Sequence, residues 1–187
     1  MNAEKINARL AFLEEAERLK NVVRSAHTTS GKQESTAEHS WRLCLMAMAF
    51  EDELRGLDML KVLKMCVIHD LGEAIHGDIP AINAGMHPEK AEQEKEDLLL
   101  LMKSLDEPLK TSILELWEDY ENAASPEAMA VKALDKLETI LQHNQGKNPP
   151  GFDYRFNLSY GRNYTDGSPF FETVREMLDG KTRSHIR

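Results

Sequence analysis

The sequence predicts an all-α fold, a single-domain helical bundle of about six to eight helices. Apolar residues recur at three- and four-residue spacing along most of the chain. No stretch sustains a two-residue alternation bounded by hairpin turns. Helix start signals recur ahead of the apolar runs.

Ile6, Leu10, Leu13, Leu19 and Val23 outline an amphipathic opening helix, and the polar stretch His27 to Glu34 interrupts it. Ser35-Thr36-Ala37-Glu38 has the form of a capping box, so a second helix starts there and runs to about Leu54, with His39 in its first turn. A third, from about Asp58 to Leu71, is apolar around most of its circumference and therefore central. Gly72 is its expected stop, which puts His69 and Asp70 at a buried helix end. Gly77, Pro80 and Gly85 punctuate a loop from Gly77 to Pro88 over that end.

Two helices are expected at about Glu89 to Leu105 and Glu107 to Asn122. Ser125-Pro126 then supplies an N-cap and a first-turn proline for a helix to about His143, with Asp135 in its middle. The run from Gly146 to Gly151 ends it and leads into an aromatic segment, Phe152, Tyr154, Phe156, Tyr160 and Tyr164, before a short helix at about Pro169 to Leu178. Residues 1–187 are expected to form one domain, with a core at about 35–145 and the segment 152–187 packing back on the bundle.

Composition narrows the function. The net charge of −9, with 32 acidic against 23 basic residues, argues against a surface laid along the phosphates of a nucleic acid polymer. A small anion remains compatible, because a bound metal and one or two arginines outweigh the global field locally. No stretch approaches the roughly 18 apolar residues of a membrane span, and the opening MNAEKINARL lacks the apolar core of a signal peptide. Cys44 and Cys66 lie in apolar helical runs and read as buried thiols in a reducing, cytoplasmic setting.

Taken singly, the polar residues of interest have structural explanations. His69-Asp70 reads as a satisfied core histidine with a helix-end aspartate, Asp135 as an aspartate at the edge of an apolar stripe, and His39 as an exposed first-turn residue. Together they offer two imidazoles and two carboxylates on three helices that a bundle can bring to one point. That donor set leaves positions open on a divalent cation for water and a phosphate oxygen, the requirement for metal-assisted phosphoester hydrolysis.

The order His39, His69-Asp70, Asp135, with Leu71-Gly72-Glu73 after the pair, resembles the HD superfamily of metal-dependent phosphohydrolases. The blocks STAEHSWRLCLMAMAF, MCVIHDLGEAIHGDIPA, LWEDYENAASPEAMAVKALDKLE and the upstream LKNVVR extend the resemblance to the 5'-deoxynucleotidase subgroup, over roughly residues 10–145. It implies an HD-type bundle in which His39, His69, Asp70 and Asp135 hold the metal. It also implies that Glu73 acts on the nucleophilic water, that Asp78 assists, and that Arg24 contacts the substrate phosphate. A surface arginine at a helix end is the other reading of Arg24. His76 and Glu94 have weaker claims, with water-exposed histidine and solvated helix face as their default readings. Trp41 and Trp117 read as packing, and His27, His87, His143 and His185 form no usable spacing.

The expected activity is hydrolysis of (deoxy)nucleoside 5'-monophosphates by a water activated on manganese, cobalt, iron, zinc, nickel or magnesium. The alternatives are another phosphoester, such as a nucleoside triphosphate or cyclic nucleotide, and a non-catalytic nucleotide-sensing module. The partner is then a small-molecule nucleotide, with a homodimer left open beside a monomer. One departure bears on specificity: Ser25-Ala26-His27 stands where the resembling enzymes carry an aromatic residue soon after the arginine.

Overall fold

The centre of the protein is a helix of residues Pro126–Gln145, α7, which begins as the sequence predicts, with Ser125 accepting a hydrogen bond from the Ala128 amide at 3.2 Å. In the computed structural model, which describes residues 2–86 and 88–186, α7 follows α1 (Ala3–Ala16), α2 (Thr36–Ala49), α3 (Met59–Ile68), α4 (Glu73–His76), α5 (Lys90–Leu101) and α6 (Glu107–Asn122). After it come α8 (Arg162–Thr165) and α9 (Pro169–His185). Among the described residues these are nine α-helical segments, of which α4 and α8 are single turns of 4 residues. The seven longer helices answer the bundle that the apolar periodicity predicts.

Two faces of α7 are apolar. Leu134, Leu137 and Ile140 pack with Leu43, Met46 and Ala47 of α2 and Val62, Met65 and Cys66 of α3. Leu134 and Leu137 have 0% exposure, so truncation of either to alanine costs about 2–5 kcal/mol through lost burial and a residual cavity. A second cluster, Leu98, Leu101, Met102 and Trp117, clamps α5 and α6 onto Ile68 and Leu71 at the end of α3.

The N-terminal region differs from expectation. The opening helix stops at Ala16, a 3-10 turn covers Glu17–Lys20, and the chain then enters a two-stranded antiparallel hairpin, β1 (Val23–His27) with β2 (Gln33–Ser35). The polar stretch is the hairpin turn, closed by Thr28 N–H to the Lys32 carbonyl at 2.8 Å with Gly31 at φ 87°. Strands of five and three residues are too short to register as an alternation. The Thr36 amide donates to the Val22 carbonyl at 2.9 Å, tying the hairpin to the start of α2, where Ser35 and Glu38 form the capping box. On α1, Ile6, Leu10 and Leu13 are exposed.

Gly72 is likewise not the end of a long helix. α3 stops at Ile68, His69 caps it, and Gly72 leads into α4 with right-handed backbone. A Cβ at Gly72 would stand 2.5 Å from the Glu94 carbonyl oxygen, so the glycine permits α5 to approach the site. The covering loop contains a 3-10 turn at Ala81–Met86, and His87 lies outside the described residues.

The C-terminal segment turns back so that α9 lies along α7. Its anchor is Arg175, 2% exposed, whose nitrogens donate to Asp179 Oδ1 at 2.8 Å and to the carbonyls of Tyr160 and Asn157 at 2.6 Å each. That bonding ties the aromatic segment to α9.

Candidate metal and active site

At the end of α3 a cavity of about 730 Å³ opens between β1, α4, the covering loop, α7 and the aromatic segment. Its floor is built from three helices. The capping box sets the first turn of α2 and so aims His39 inward, with 0% exposure. The end of α3 delivers His69 and Asp70, and the middle of α7 delivers Asp135.

One ligand atom each from His39, His69 and Asp70 lies within 4.8 Å of the other two. His69 Nε2 is 3.0 Å and His39 Nε2 3.8 Å from Asp70 Oδ2. These separations suit ion pairs, yet among the described residues His39 Nε2, His69 Nε2 and Asp70 Oδ2 are all buried with no hydrogen-bond partner. The three atoms share one small volume, close enough together for a single cation to serve as their common partner. The other ring nitrogens are engaged elsewhere. His39 Nδ1–H donates to Glu138 Oε2 at 2.5 Å, and His69 Nδ1–H donates to the Cys66 carbonyl at 3.0 Å. Each contact occupies Nδ1 and leaves Nε2 as the ring atom available to a cation, which displaces any proton there. Arg42 Nε in turn holds Glu138 at 2.5 Å.

Asp135 approaches from the side. Its Oδ1 lies 3.1 Å from His39 Nε2, while Oδ2 accepts from Tyr120 Oη at 2.9 Å and from Lys136 Nζ at 2.8 Å. It stands outside the 4.8 Å group of three but keeps one oxygen toward it. A buried group of two imidazole nitrogens and carboxylate oxygens with unpartnered lone pairs fits a divalent cation.

Arg24 is neither at a helix end nor on the surface. It sits on β1, its Nη1 3.5 Å from Asp70 Oδ2 and its Nη2 donating to Thr139 Oγ1 at 3.0 Å. Glu73 is 4% exposed on α4, accepts from Thr36 Oγ1 at 3.3 Å and lies 3.6 Å from Lys90 Nζ. Asp78, just past Gly77, lines the same cavity. His76 turns away to Asp97, 2.7 Å distant. Trp41 is exposed and Trp117 buried in the core, neither in the cavity.

Charges are crowded here. Burial and the Arg24 charge push the His39 imidazole down, but Glu138 and Asp135 outweigh them and lift it to about 10. Burial works against the Asp70 carboxylate, yet His69, His39 and Arg24 hold it well below the usual range. Burial, Asp70 and Asp78 together push Glu73 up to about 10, and burial also raises Asp78. A dication on the floor inverts this logic, favouring ionised carboxylates and a deprotonated imidazole nitrogen.

Glu94, a weaker candidate whose default reading is a solvated helix face, lines the cavity 3.2 Å from Lys90, and burial lifts it to about 7. Other cavity residues carried no functional expectation. Lys90, Lys136, Thr139, Tyr120 and His143 line it too. Glu138 and Arg42, each three residues after a proposed ligand, carry the one spacing signal that would have drawn attention to them.

Residues 16–175 match the HD domain family, and the chain belongs to that family. Among its relatives, the 5'-deoxynucleotidase HDDC2 of Dictyostelium discoideum is 30% identical over 91% of this chain and 96% of its own length. The human 5'-deoxynucleotidase HDDC2 is 35% identical over 73% of this chain and 67% of its own. A predicted metal-dependent phosphohydrolase of Magnetospirillum magnetotacticum has the same fold, with a TM-score of 0.85 at 24% identity, over 97% of this chain and 94% of that one.

Proposed function

We infer that this chain is a metal-dependent phosphohydrolase that converts deoxynucleoside 5'-monophosphates to nucleoside and inorganic phosphate. The names of its relatives support the substrate class. The observation that carries the reading is the set of unpartnered Nε2 and Oδ2 atoms of His39, His69 and Asp70, gathered within 4.8 Å of one another where His69 and Asp70 line a cavity that also holds Arg24.

In this reading His39, His69, Asp70 and Asp135 hold the cation. When bound, it lowers the pKa of a water and draws charge from a phosphoryl oxygen. The Arg24 guanidinium presents a planar fork to the phosphate oxygens, pre-aimed by Thr139. Glu73 takes the proton of the attacking water as its oxygen bonds to phosphorus. The ester oxygen departs with the electron pair of the broken P–O bond, and Asp78 delivers a proton to it. Lys90 keeps Glu73 oriented from α5.

The small-molecule partner is thus a mononucleotide. We place the protein in the cytoplasm, supported by two cysteines that stay free thiols. The test is phosphate release by metal-loaded protein across ribo- and deoxynucleoside mono- and triphosphates. Release from deoxynucleoside monophosphates well above the others is expected; a preference for triphosphates would replace this reading with the triphosphohydrolase one.

A further inference from the structure

The cavity has two unlike halves. One is ionic, with His69, Asp70, Asp135 and Arg24; the other is aromatic, with Phe152, Phe156 and Tyr160 of the C-terminal segment. The two meet at Lys136, whose Nζ is 2.8 Å from Asp135 Oδ2 and 5.3 Å from the centre of the Tyr160 ring. From there the wall leads away from the floor. The ring centres of Phe156 and Tyr160 are 5.0 Å apart with planes at 30°, and Phe152 meets His143 edge to face at 4.8 Å. His143 lies two α7 turns beyond Asp135, about 12 Å along the axis at 1.5 Å per residue.

Phe152 is engaged on two edges, by His143 and by Tyr154 at 4.9 Å, whereas among the described residues Phe156 has Tyr160 as its ring neighbour. Phe156 is half-buried, and the turn that follows it is anchored by buried Arg175, which donates to the carbonyls of Asn157 and Tyr160. A preorganised aromatic surface beside an anion site suits a ligand with a charged head and a flat, uncharged, polarisable ring. Ser25, next to Arg24, lines the cavity and has no ring to offer, and Ala26 is 1% exposed in the packing behind it.

We propose that Phe156, backed by Tyr160, is the platform on which the nucleobase of the substrate stacks while its 5'-phosphate occupies the ionic half. The proposal rests on the mononucleotide reading above and adds the residue that makes the enzyme prefer nucleotides to base-free sugar phosphates. Stacking uses the π-face that every base has, so it rewards possession of a base over its identity.

The experiment compares metal-loaded parent, Phe156→Ala and Phe156→Tyr on a deoxynucleoside 5'-monophosphate and on 2-deoxyribose 5-phosphate, which lacks the base. The parent is expected to favour the nucleotide by about tenfold or more in kcat/KM, the scale of one base-aromatic stack. Phe156→Ala should bring that ratio close to one, chiefly through KM for the nucleotide, and Phe156→Tyr should restore it. Equal losses on both substrates would mark Phe156 as packing and overturn the proposal. A parent that hydrolyses both substrates equally would also overturn it while leaving the hydrolase reading standing. A parent that releases phosphate from neither substrate would overturn both.

Discussion

Two clusters in this protein bury charge, and they do so in opposite ways. Around Arg175 every nitrogen of a fully buried guanidinium is bonded, to Asp179, Tyr160 and Asn157. At the metal site, His39 Nε2, His69 Nε2 and Asp70 Oδ2 are just as buried, and none has a hydrogen-bond partner among the described residues. Unsatisfied buried polar atoms cost free energy, so a fold retains them where something other than packing uses them. The first cluster is built to hold a segment in place; the second is built to hold what the chain itself does not supply.

That contrast is broken most directly by removing one group from each. Arg175→Met should lower stability by about 3–5 kcal/mol, because it leaves the carbonyls of Tyr160 and Asn157 without their donor and the buried Asp179 carboxylate with Arg162 alone at 2.7 Å, and denaturant melts would report it. Asp70→Asn should abolish metal uptake and phosphate release, yet cost the metal-free protein less stability than Arg175→Met, because the isosteric amide keeps the packing and loses only the attraction of His69, His39 and Arg24. Similar stability losses in both variants would erase the distinction.

Smaller effects should follow from residues that touch the ligands or the water. Glu73→Gln is expected to retain the metal and lose about 10²- to 10⁴-fold in kcat, measured by single-turnover phosphate release alongside metal analysis. Glu138→Gln should weaken metal affinity by about 10- to 100-fold, since it loosens the His39 ring without removing a ligand. Titration with a competing chelator reads that change.

The weakest signal is a pH dependence. Glu94 is lifted by burial to about 7 from its ordinary 4.5, so the folded metal-free protein keeps that proton after the unfolded chain has released it. Its contribution to stability is complete below about pH 4.5 and is lost as pH rises through about 7. Glu94→Gln should therefore flatten the fall in Tm across that window. A parent and variant with parallel Tm profiles would show that Glu94 ionises freely.

Much of the frame was legible because local signals and periodicity agreed. The Ser35 and Ser125 caps set the starts of α2 and α7, and the apolar wheel of α3 marked a helix of the core, although α7 is the central one and Leu60 and Val67 of α3 are exposed. The hairpin was not legible, since its partners are short strands whose pairing depends on Gly31 and on contacts with α2 and α7. Arg24 was consequently expected at the end of a helix, though it sits on β1. The site was legible in its ligand types and not in their supports. Glu138 meets His39 across 99 residues and Arg24 meets Thr139 across 115, separations that no local pattern encodes. Glu94 had only a weak claim because it stands in a run of charges, and its place in the cavity goes with the close approach of α5 at Gly72.

The central claim is that the unpartnered floor atoms are metal ligands. X-ray absorption on the metal-loaded protein tests it directly, and the account predicts two imidazole nitrogens with oxygen donors around the ion, falling to one imidazole in His69→Ala. A first shell of oxygen alone, or one that His69→Ala leaves unchanged, would contradict it.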